Sequence, residues 1–98
     1  MQINIAEVLA KLKNSVANDN FEFVIRANRS KSYSTREDAQ AIIASLVEDD
    51  FQKHELDRDG SGEYLWIFIS SDGIRFYIKL KFIENDRVKF ISFHQAEY

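Results

Sequence analysis

Cysteine and proline are absent from this 98-residue chain, glycine occurs three times and tryptophan once. Without thiols there is no disulfide framework, no thiolate to hold zinc and no cysteine redox chemistry. Three glycines leave no room for a dinucleotide glycine fingerprint, a phosphate-binding P-loop or the Gly-x-Ser-x-Gly turn of many hydrolases. Long apolar runs are missing too: none approaches the ~18 residues that cross a bilayer. The opening Met1-Gln2-Ile3-Asn4 lacks the basic start and apolar stretch of a signal peptide, so a cytoplasmic location and no membrane partner are expected. With no linker composition, repeat or low-complexity tract, residues 1–98 read as one domain.

What is present suits a folded chain, with 45% apolar and 30% charged residues and a 13% aromatic share to build a core. The formal charge of −3 has the wrong sign for a protein that coats nucleic acid nonspecifically. Charge is unevenly placed, however. Residues 26–36 carry Arg26, Arg29, Lys31 and Arg36 and no acid, a basic island within an otherwise acidic N-terminal half.

Periodicity changes along the chain. Ile5, Val8, Leu9, Leu12 and Val16 recur at spacings of three and four, which predicts a helix over 4–18 ended by Asn18-Asp19-Asn20. Phe21, Phe23 and Ile25 alternate and predict a short extended piece. Ser34 and Glu37 form a capping-box pattern opening a second helix, with Ala39, Ile42, Ile43 and Leu46 as its buried face. The acidic run Glu48-Asp49-Asp50 suits the start of another short helix. From residue 64 the period becomes two, and strands are expected at about 64–70, 74–83 and 87–94. Asp72-Gly73 and Asn85-Asp86 turn the chain between them, making the three antiparallel. The fold class is α+β, with two or three N-terminal helices on one face of a C-terminal antiparallel sheet. In the middle strand Phe76, Ile78, Leu80 and Phe82 face the helices, while Arg75, Tyr77, Lys79 and Lys81 face away. That outer row either holds a polyanion or is an ordinary solvated sheet face.

Asp57-Arg58-Asp59-Gly60-Ser61-Gly62-Glu63 resembles the opening of a calcium loop, with oxygen ligands at positions 1, 3 and 5 and glycine at 6. Position 12, which needs a bidentate glutamate, is Phe68, so a polar loop is the expected reading and no metal is assigned. Two histidines, His54 and His94, cannot complete a zinc site without carboxylates. Lys, Arg, Tyr and His on one face instead suit metal-free RNA cleavage by the neighbouring 2′-hydroxyl. That reaction needs a base, an acid and cations for the growing phosphate charge.

Trp66-Ile67-Phe68, Phe76-Tyr77-Ile78-Lys79-Leu80 and Ile91-Ser92-Phe93-His94 together resemble the MqsR family of toxins from type II toxin–antitoxin pairs. The opening amphipathic helix, Phe23 to Asn28 with its arginine, and Ser45 to Phe51 follow in the same order. The resemblance implies a RelE-like fold and a ribosome-independent mRNA interferase that works without metal or cofactor and is neutralised by a cognate antitoxin. Residue by residue, it implies catalytic roles for Lys53 and Tyr77 and a place for His94 where members carry a basic residue after Ser-Phe. Arg26, Arg29, Lys31, Arg75, Lys79 and Lys81 are then the expected RNA-binding cations. Gln52 and Ile67 depart from residues found in some members, tyrosine and glutamine respectively. Those departures favour the alternative, a non-catalytic module of the same fold that pairs with an antitoxin or another protein.

Overall fold

A computed structural model describes residues 4–24 and 36–96. Arg26, Arg29, Lys31 and the Ser34 half of the expected helix cap lie outside these. The chain runs α1 (Ile5–Ala17), β1 (Phe21–Phe23), α2 (Arg36–Ser45), a single 3-10 turn at Glu48–Asp50, β2 (Phe51–Leu56), β3 (Tyr64–Ile69), β4 (Phe76–Phe82) and β5 (Val88–Gln95). The result is an α+β fold, with the helices toward the N-terminus and most of the sheet toward the C-terminus. The sheet has five strands in the order β1-β5-β4-β3-β2.

Two expectations are corrected. The acidic run Glu48–Asp50 forms only one 3-10 turn, and the chain then becomes β2 instead of a further helix. The buried Asp50 carboxylate fixes that change of direction. It accepts the backbone N–H of Val47 at 3.0 Å and the hydroxyl of Ser71 at 2.6 Å, tying the turn to the β3–β4 connection. The sheet is also mixed: β1 pairs parallel to β5, whereas β2–β3, β3–β4 and β4–β5 are antiparallel.

The helices form where the apolar spacing places them. Asn4 caps α1 by accepting the Glu7 N–H, leaving Leu9, Leu12 and Val16 buried on one stripe. Ala39 and Ile43 of α2, with Leu46 just beyond it, meet them. Arg36, at the start of α2, lies over the Phe21 ring at 3.8 Å and bonds Asp19, which docks the helix on β1. Both helices cover the sheet face formed by Phe68, Ile78, Leu80, Val88, Phe90 and Phe93. The opposite, outer face is where the candidate residues lie.

Candidate functional site

Side chains alternate between faces along an ideal strand, so the face of each residue follows from register. Two irregularities reset that alternation. Phe51 pairs with Phe68 while Lys53 pairs with Ile67, leaving Gln52 as an extra residue in β2. Lys79 pairs with Ser92 while Leu80 pairs with Phe90, leaving Ile91 extra in β5. Each is a β-bulge, in which two residues oppose one and the phase shifts. The first lets Phe51 and His54 both point toward the helices, so Lys53 turns outward. The second lets Phe90 and Phe93 both enter the core with rings 5.1 Å apart, so His94 turns outward.

The outer face is consequently built in rows. Ile69, Tyr77 and His94 form one row across β3, β4 and β5. Lys53, Ile67, Lys79 and Ser92 form the next, across four strands. Glu55 and Leu65 belong to a third row, two residues further along β2 and β3, and Lys81 lies opposite Lys89 two residues beyond Lys79. Tyr77 and His94 are half-buried and stack directly, centroids 5.3 Å apart and planes inclined by 27°. His94 Nδ1 is 3.1 Å from the Gln95 carbonyl oxygen. A carbonyl only accepts, so the proton of that bond sits on Nδ1 and the neutral ring keeps Nε2 as its lone pair. Arg75 is exposed just before β4, in phase with Tyr77.

The lysines of this face differ sharply. Lys53 and Lys79 share one partner, Glu55, at 3.7 and 3.5 Å. Ile67 lies between them in the row and is 2% exposed, an apolar floor that offers no hydrogen bond. The expected phosphate contact at Lys81 gives way to an internal one. Its side chain is 8% exposed, and its ammonium lies 2.8 Å from Asp57, 3.1 Å from Asp59 and 2.9 Å from Glu63.

The residues that resembled a calcium loop are therefore the carboxylates that hold Lys81. They are close enough together to hold a metal ion, but an ammonium already lies among them. The loop is a staircase of short turns: the Asp59 N–H donates to Asp57, the Ser61 N–H to Asp59 and the Glu63 N–H to the Ser61 hydroxyl. Ser61, and then Lys81, hold the Asp59 carboxyl well below the usual carboxylate range. Asp57, followed by Glu63, raises Lys81 above the ordinary lysine value against the opposing cost of burial.

Sequence reasoning missed Glu55 and Lys89 on this face. Period-two reading of β2 would have found Glu55, but that segment read as helix. His54 lies on the other face, stacked on Trp66 at 5.5 Å and edge-on to Tyr64 at 5.2 Å. Trp66 packs against the core.

With both the five-stranded sheet and this face in view, residues 6–95 match the family described as "Motility quorum-sensing regulator, toxin of MqsA". The chain belongs to the MqsR toxin family. Membership makes it a toxin of a toxin–antitoxin pair, with an antitoxin as its partner. The match spans both helices and all five strands, and includes Lys53, Tyr77 and His94. No curated protein and no solved structure matches the chain. No helix among the described residues of this MqsR-family chain is long and apolar enough to cross a membrane.

Proposed function

We propose that the chain is a metal-independent endoribonuclease that cuts mRNA on the outer face of its sheet. The observation that carries this reading is the Tyr77–His94 ring pair, half-open beside Lys79 and Arg75. His94 Nε2 takes the proton of a ribose 2′-hydroxyl, whose oxygen forms a bond to the adjacent phosphorus. The bond from phosphorus to the 5′-oxygen breaks, and the Tyr77 phenol returns a proton to that oxygen. Products are a 2′,3′-cyclic phosphate and a 5′-hydroxyl end, with no water or redox partner consumed in the step. Lys79, Lys53 and Arg75 offset the charge that accumulates on the phosphate oxygens. Arg26, Arg29 and Lys31 complete the expected RNA contacts, while Lys81 is left out because its charge is spent within the protein.

A second reading is favoured by Ile67, the apolar floor between Lys53 and Lys79: a toxin-fold protein that pairs with its antitoxin but does not cut RNA. One assay separates the two. Purified protein is mixed with end-labelled mRNA in EDTA, and the new ends are mapped. Discrete cuts leaving cyclic phosphate support the nuclease, whereas RNA that stays intact over a wide protein excess rejects it.

A further inference from the structure

Glu55 is an acid set among the cations of the outer face, and its position is informative. Its row lies on the far side of the Lys53–Lys79 row from Tyr77 and His94. Each of its two carboxylate oxygens takes one ammonium: Oε2 that of Lys53 and Oε1 that of Lys79. The anchored lysines stand on strands two places apart, about 10 Å at the usual strand spacing, so one carboxylate draws both heads together. A carboxylate and a phosphate present the same feature to an ammonium, a pair of anionic oxygens.

We propose that Glu55 is a built-in stand-in for an RNA phosphate. It closes a two-lysine anion clamp in the RNA-free protein and is displaced when a phosphate arrives. The proposal rests on reading this face as an RNA surface and adds to it a competitor that lowers affinity. Once Glu55 lets go, both ammonium groups can swing toward the Tyr77–His94 row, where the scissile phosphate would lie. The pairs are partly exposed, 41% at the Glu55 side chain, so the competition is modest and salt-sensitive.

The test uses the intact chain, the Glu55→Gln variant and a Glu84→Gln control, which removes one exposed charge in the turn before β5. Each is titrated with inorganic pyrophosphate and with a cleavage-resistant 2′-O-methyl RNA oligonucleotide, while NMR follows the lysine side chains. Glu55→Gln should bind both probes roughly threefold to tenfold more tightly at low salt. Shifts should appear at Lys53 and Lys79, and the advantage should vanish near 1 M salt, where the screening length falls to about 3 Å. Glu55→Ala should show the same gain, and adding Lys79→Met should abolish it. The proposal is overturned if Glu55→Gln binds no better than the parent, if Glu84→Gln gains as much, or if pyrophosphate moves neither lysine. RNA left uncut by the parent would count against the nuclease alone, because the pyrophosphate series still decides the role of Glu55.

Discussion

At the scale of single residues, the outer face divides into charges available to a ligand and charges already satisfied. Tyr77 and His94 stack on one another, half-buried on the outer face and outside the hydrophobic core, so under the proposed mechanism replacing them should remove chemistry without removing the fold. Tyr77→Phe and His94→Gln are each expected to cut RNA cleavage by roughly 100-fold to 10,000-fold. Their melting temperatures should stay within a few degrees of the parent, and a large drop in melting temperature would instead mark a structural role. Lys81 is the opposite case. Lys81→Met leaves Asp57, Asp59 and Glu63 facing one another without their cation, at a cost of about 1–3 kcal/mol. The pH dependence follows from the directions of the two shifts. Asp59 is depressed, so its contribution is present above the ordinary carboxylate range and fades as pH falls through its folded value. Lys81 is raised, so its contribution is full below the ordinary lysine value and lost only as pH climbs through its folded one. The stability gap between parent and Lys81→Met should therefore be flat between about pH 5 and pH 9 and shrink in strong acid and strong alkali. Thermal melts across that range check it.

At the scale of elements, both bulges serve a similar purpose. Each lets two aromatic rings three positions apart face inward, and the residue next to the second or between the two turns toward solvent. Deleting Ile91 leaves Phe90 and Phe93 two positions apart, the spacing at which a regular strand keeps both inward, so the loss of stability should stay below the roughly 3 kcal/mol of a lost core phenylalanine. Ile91→Val keeps the count and should cost little; urea midpoints of the two variants separate length from side chain. These irregularities also explain what could be read in advance. Helix α1, the buried face of α2 and strand β4 were legible because their apolar residues recur at 3.6 or 2 positions, and β3 and β5 because turn signals bound runs rich in aromatic and β-branched residues. Segment β2 was not, because its alternation restarts after Gln52 and its acidic lead-in reads as a helix start. The row Arg75, Tyr77, Lys79 could be read from spacing, whereas the approach of His94 to Tyr77 depends on where β5 bulges. Sequence alone shows no reason to prefer that register. Lys81 looked like its neighbours, and only the tertiary return of the 57–63 loop distinguishes it.

At the scale of the whole molecule, a net charge of −3 means that the proposed RNA binding would depend on local clusters of cations. If Lys53, Lys79 and Arg75 on the outer sheet face alone meet phosphates, log affinity should fall against log salt at a slope of about −2 for single strands, and the contacts proposed for Arg26, Arg29 and Lys31 should steepen it to about −4. A much steeper slope in binding titrations would mean a larger basic surface than this face supplies. The antitoxin partner implied by the family gives a cellular check: expressing this chain by itself should arrest growth, and co-expression with the cognate antitoxin should relieve the arrest.

The sheet order carries one more consequence. Strand β5 is made late yet sits inside the sheet, with β1 on one side and β4 on the other. Until it slots in, β1 has no neighbour, the core lacks Val88, Phe90 and Phe93, and Tyr77 has no imidazole beside it. With translation adding about 5–20 residues per second, β1 to β4 leave the ribosome before β5 does, and Tyr77 meets His94 only when that strand takes its place in the sheet.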